Sequence, residues 1–556
     1  MSPHSYLFAV ALVVAGLTAC GGREAQESTP APAQSAGQVA PVVVTQVGQY
    51  AAARFAEQVS FGPTPALVAE IRSKGYSRWL DDQFALPASS IDLTPFLGFP
   101  DPPPQADDAR YRSLFLNLAV GAADQLRLRV TWSLSQFVVV SDRKVDAVGT
   151  MAWINLLQQQ GLGSYADLLY NTSISPAMGV YLDNNQNRPK SAACPNCAPN
   201  ENFARELMQL FTVGVFKLNA DGTPVRDANG NFIETYTQTD VEQLARVLTG
   251  WSHDPNPAIR PQRNWANWLK PMVASTQPFE RDSGQKTVLG KVFPAGQSTA
   301  KDLRDAIDLL MAHPTIAPFV ATRMIQHLVK SNPSPAYVGR VVARFRNNGS
   351  GVAGDMKAVV KAVLLDAEAR AGDDPTASRS DDGKLREPFL HYMSIWRGLG
   401  CNKVPVPGGQ PAPYPYQRGD QTPFNATSVF SFYAPTDRAP GSNLLAPEQK
   451  LVNASEFTSR LNGVNGTRWD GSANTRAALE GAGCDFDAFS RAYGTSTAAF
   501  NDLVSARFFR GAMSPKLRNT IEQLVKQPQW DVRSLDEGPA RMLDFALTSP
   551  YYGVMK

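Results

Sequence analysis

The stretch Pro199-Asn200-Glu201-Asn202-Phe203-Ala204-Arg205-Glu206-Leu207-Met208-Gln209-Leu210-Phe211-Thr212 decides how this chain is read. Asn200 suits an N-cap, and the acid after it suits the positive end of a helix dipole. Phe203, Leu207, Leu210 and Phe211 recur at helical spacing and form a core-facing stripe. Asn202, Glu206 and Gln209 fall on a second stripe, and Glu201, Arg205 and Thr212 on a third. Two asparagines, two acids and an arginine in so short a run exceed what a solvated helix face needs. The expectation is a helix lining a buried polar site.

Helical patterning extends outward from this run. Ala66, Leu67, Ile71, Trp79 and Leu80 predict a helix over 66–84, and residues 121–141 a long, largely buried one. Further helices are expected at 151–159, 165–171, 299–312, 315–331, 335–347, 355–366, 450–463, 487–510, 515–527 and 539–548. Thr239-Asp240-Val241-Glu242 reads as a capping box, opening a helix with Glu242 and Arg246 paired one turn apart. Asp221-Gly222 and Asn229-Gly230 are turn dipeptides and predict a small β-hairpin excursion. A calcium loop there lacks the EF-hand spacing. Residues 254–298 read as irregular. Residues 401–447, rich in Pro, Gly, Asn and Gln, form a loop of a length that is usually functional. The fold class is mainly α: a large multi-helix globular body with long irregular loops.

At 556 residues, 43% hydrophobic and 19% charged, the chain can bury more than one ordinary core. A net charge of +3, with no basic stripe, argues against nucleic-acid binding. Tyr6 to Leu17 is an apolar stretch of signal-peptide length, ending in Leu17-Thr18-Ala19-Cys20, a lipobox pattern. Residues 1–19 are therefore expected to be a lipoprotein signal peptide, with Cys20 lipidated and anchored to a membrane. An ordinary cleaved secretory signal is the alternative. Gly21 after the cysteine favours the outer membrane over retention at the inner one. Residues 20–48 are the lipidated cysteine and a Gly/Ala/Pro-rich disordered tether, with a reach of roughly 30 Å. The body is expected over 49–556, with a division into halves 49–253 and 299–556.

Four cysteines remain: Cys194, Cys197, Cys401 and Cys484. In an oxidising compartment they favour disulfides, Cys194–Cys197 and Cys401–Cys484. A redox pair or half a zinc site at Cys194-X-X-Cys197 stays open. His253, His313, His327 and His391 are scattered, so a histidine-rich metal site is not expected. No cofactor is indicated.

"PNENFARELMQLFTVGV" resembles the signature of the bacterial domain of unknown function 1800. "FGPT" from Phe61, "DQLRLRVTWSLSQFVVVS" from Asp124 and "SPAMGVYLDNNQNR" from Ser175 carry the resemblance through the first half. "YTQTDVEQLARVLTGW" from Tyr236, "GQKTVLG" from Gly284, "GKLREP" from Gly383 and "SVFSFYAP" from Ser428 carry it through the second. The biochemical function of that family is not established. The resemblance implies export, and a sulfatase-like exported protein as a partner. It also sets Arg281 where the family often has histidine, and Gln209 where it often has glutamate. If the family's chemistry uses either, this member is altered.

The candidate catalytic residues are Glu201, Glu206, Arg205 and Asp183. Carboxylates in one site divide into an acid and a base when burial raises one pKa and an arginine lowers the other. Asn184, Asn202, Tyr236, Asp240, Arg246 and Trp251 are candidate substrate-binding residues, with Trp251 placed to stack on a sugar. Two functions follow as expectations: an acid–base hydrolase or lyase on a polysaccharide or envelope polymer, or a non-catalytic binding or assembly lipoprotein.

Overall fold

The signature run forms a helix from Asn202 to Gln209, shorter than its apolar stripe suggests. The Asn200 side chain accepts the Asn202 backbone N–H at 2.9 Å and so caps it. The computed structural model describes residues 46–93, 106–255, 267–377, 381–404, 421–456, 458, 473–527 and 537–556. The leader, Cys20 and most of the tether lie outside the described residues. So do 405–420 of the long loop and part of the 450–463 helix.

Among the described residues there are 21 α-helices and three two-stranded antiparallel sheets, so the body is mainly α. Thr45–Lys556 forms one unit, and its main core cluster runs from Val47 to Met555. Both sequence halves contribute to that core. None of the described helices is long and apolar enough to cross a membrane.

Helices with one apolar face fall close to expectation, among them Thr299–Ala312 and Pro335–Arg346. The stretch expected as one helix over 66–84 is two, Pro65–Lys74 and Tyr76–Ala85. Gly75 breaks it at φ 74°, a conformation glycine adopts without penalty. The 487–510 stretch likewise divides into Asp487–Thr495 and Thr497–Phe508. The capping box is real but sits two residues earlier: Thr237 accepts from the Asp240 N–H, and Asp240 accepts from the Thr237 N–H. Arg246 pairs with Asp282 rather than with Glu242.

The hairpin excursion is present as bridges Phe216–Glu234, Leu218–Pro224 and Arg226–Phe232. Its turns are tied by Asp221 and Asp227, whose carboxylates accept backbone N–H groups ahead of them.

The FGPT motif is a junction. Phe61 is buried edge-on to Phe115 and Phe389, and Thr64 caps the helix that Pro65 starts. A Cβ on Gly62 would lie 2.5 Å from the Ser394 Cα, so only glycine lets these backbones meet.

Both cysteine pairs are disulfides, Cys194–Cys197 and Cys401–Cys484. The second spans 83 positions. Replacing Cys401 and Cys484 together by alanine is expected to cost about 2–5 kcal/mol, because it frees a long loop in the unfolded chain. Denaturant melts check this. If removal of the three-residue-separated Cys194–Cys197 pair cost as much, loop length would not be the cause.

Candidate functional site

The signature helix starts beside Asp183, whose carboxylate accepts from Lys144 Nζ at 2.6 Å and from Asn202 Nδ2 at 2.8 Å. Glu201 accepts from Arg205 at 2.8 Å and from Gln238 Nε2 at 2.9 Å. These pairs are substantially exposed, and exposed pairs contribute about 0–1 kcal/mol each.

Glu206 is different. It is half-buried, makes no ion pair, and its Oε2 has no hydrogen-bond partner among the described residues. Burial pushes the carboxyl up to about 7, against the opposing pull of Arg205. Tyr181 and Tyr236 feel its charge. Burial pushes both phenols up to about 12; Glu206 adds to this at each, and Arg205 opposes it at Tyr236. The Tyr236 hydroxyl donates to Gln209 Oε1 at 3.3 Å. A carboxyl near 7 can hold or release a proton at neutral pH.

The other expected binding residues are engaged or buried within the fold. Asn184 is buried and accepts from Asn187, whose side chain also holds the Asn200 backbone N–H at 2.7 Å. Asp240 is used by the capping box and by the Leu289 N–H. Arg246 forks onto Asp282 at 2.7 and 3.1 Å. Trp251 is a core residue and offers no face for stacking on a sugar. Arg281 and Lys286 converge on the buried carboxylate of Asp302, which pairs with both. A shallow depression of about 440 Å³ lies beside Asp183, lined by Lys144, Arg188 and Asn200. Neither Glu201 nor Glu206 lines it. Among the described residues no three His, Cys, Asp or Glu side chains gather as a metal site.

Sequence reasoning missed the buried polar network that GKLREP builds. Lys384 pairs with Glu448 at 2.9 Å, and Arg386 with Glu57 at 2.8 Å. Glu387 accepts from Trp132 Nε1, Gln421 Nε2 and the Tyr433 hydroxyl. A Cβ on Gly383 would lie 2.0 Å from the Met555 carbonyl, so this segment also fixes the chain's end. The available signal was three charged residues in four, directly ahead of an almost wholly apolar run.

A family model described as "Protein of unknown function (DUF1800)" matches residues 54–554, nearly the whole chain. The chain belongs to the DUF1800 family. No curated protein and no solved structure matches it. Within this DUF1800 protein, the signature helix thus carries two exposed polar pairs, Glu201 with Arg205 and Asn202 with Asp183. It leaves Glu206 unpaired, within electrostatic reach of Tyr181 and Tyr236.

Proposed function

We propose that this DUF1800 protein is an exported envelope lipoprotein in which Glu206 is the proton donor of a hydrolase or lyase acting on a polysaccharide or another envelope polymer. The observation that carries this reading is the half-buried, unpaired Glu206 carboxyl near 7 beside Tyr181 and Tyr236. In hydrolysis Glu206 would give its proton to the oxygen of the leaving group, and water would supply the replacing hydroxyl. Glu201 and Arg205 would orient substrate hydroxyls, with Asn202 and Asp183. Export and anchoring rest on the leader and Cys20, and a sulfatase-like partner rests on the family resemblance. A second reading, a non-catalytic binding or assembly lipoprotein, is favoured by one feature. Asp183 and Glu201 are both engaged by cations, which leaves one free acid.

The test is Glu206→Gln in the full chain, followed by melting and by assays on envelope polymers. The melting temperature is expected to stay or rise, since no ion pair is lost and a poorly solvated charge is removed. Polymer cleavage by the wild type is expected to fall as pH rises through about 7, because the acid form of Glu206 is then lost. A large drop in melting temperature would make Glu206 a structural residue. Cleavage that survives Glu206→Gln would remove it from the chemistry.

A further inference from the structure

Two features that the acid site leaves unexplained, the hairpin excursion and the long loop, meet at one place. Between them and the Ile316–Leu328 helix lies a cavity of about 340 Å³, of the size that takes small ligands. Its walls are largely apolar, with Phe137, Leu210, Leu218 and Phe319 among them. At its rim Phe216, Phe232 and Phe430 are 42, 43 and 40% exposed, a concentration of aromatic surface that monomers rarely leave in water without use.

The cavity also holds a cation. Arg323 lines it and makes no ion pair with any described residue. Its Nη1 donates to the neutral amide of Gln326 at 2.9 Å, and its guanidinium lies 5.2 Å from the centre of the Phe319 ring. Desolvation pushes its pKa down to about 10, with no carboxylate to offset it. The surrounding charges do not supply an anion. Burial, together with Lys384, Arg323 and Arg129, holds His327 neutral, and Lys384 is already paired with Glu448. A half-buried guanidinium facing an apolar cavity with no counter-charge is poorly solvated until an anion meets it, and its planar fork matches carboxylate and phosphate oxygens.

We propose that this cavity binds a small single-chain amphiphile, its apolar chain among Phe137, Leu218 and Phe319 and its oxyanion head on Arg323. The head is a carboxylate or a phosphate monoester. The site is separate from Glu206, and neither reading depends on the other.

Calorimetric titration of the full chain with decanoate, decyl phosphate and decanol, each below its micelle concentration, tests this. Both anions share the chain with decanol, so the head group alone differs. At least one anion is expected to bind one-to-one and at least tenfold more tightly than decanol, and the tighter anion identifies the head. Arg323→Gln is expected to erase that tenfold difference while decanol still binds. Val215→Trp, at the exposed rim, is expected to abolish binding of all three. Decanol binding as tightly as both anions to the wild type would overturn the proposal. So would a preference that survives Arg323→Gln, or binding that survives Val215→Trp.

Discussion

Replacing Glu57 with alanine is expected to cost about 3–5 kcal/mol of folding stability, the largest loss from any single substitution proposed here. Glu57 is almost fully buried between two arginines, with Arg386 at 2.8 Å and Arg510 at 2.7 Å. Burial alone would push its carboxyl up. Arg510 and Arg386 outweigh it and hold the pKa below the ordinary value. Removing the acid leaves two buried cations facing each other, which is worse than losing an attraction. Arg386 is further fixed by the Ser394 hydroxyl at 2.9 Å and the Tyr552 carbonyl at 3.1 Å, so it cannot swing out to water. The group's pKa is lowered on folding, so its contribution is present above the unfolded value of 4.5 and is lost as pH falls. Urea melts at pH 7 and at pH 3 check both points. A Glu57→Ala loss below about 1 kcal/mol at pH 7 would show that this triad does not hold the fold together.

The second large effect has the opposite sign. Asp544, on the Glu537–Thr548 helix, is mostly buried, and its Oδ1 has no hydrogen-bond partner among the described residues. Burial pushes its carboxyl up to about 8 from the ordinary 3.8. The folded state therefore holds this proton more tightly than the unfolded one. Stability is full below the unfolded pKa and declines as pH rises through the folded one. Asp544→Asn removes the charge and keeps the shape. It is expected to raise stability by about 2–4 kcal/mol above pH 8 and to flatten the decline between pH 4 and 8. Glu206→Gln should act in the same direction over its narrower range, from 4.5 to about 7. If Asp544→Asn leaves the pH profile unchanged, a partner satisfies the carboxylate.

What the sequence revealed follows from what leaves a periodic trace. Helices with one wet and one dry face, such as Thr299–Ala312, were legible to the residue. Pro388–Gly398 was not, because all eleven of its residues are buried and no polar stripe marks a face. Glu201 and Arg205 share a stripe and do pair, but Glu242 and Arg246, equally one turn apart, do not, because Asp282 from another element takes the arginine. The isolation of Glu206 was not legible either. Its surroundings come from Tyr181 and Tyr236, in other elements, and local spacing says nothing about a missing partner. Trp251 failed as a sugar platform for the same reason: aromatic character is local, and burial is not. Arg386 of GKLREP finds its partner Glu57 at a separation of 329 positions, and Lys384 and Glu387 also find their partners on other elements, so no local window of sequence could assign them.

Those distances constrain how the protein is made. The acid of the first described helix meets its two arginines 329 and 453 positions later, and Lys384 pairs with Met555, next to the last residue. Ribosomes add roughly 5–20 residues per second, so Glu57 waits on the order of 20–90 s for Arg510. Until then the Glu57 carboxylate has no Arg510 to meet, and the buried triad cannot form. The triad can therefore close only after most of the chain has been made.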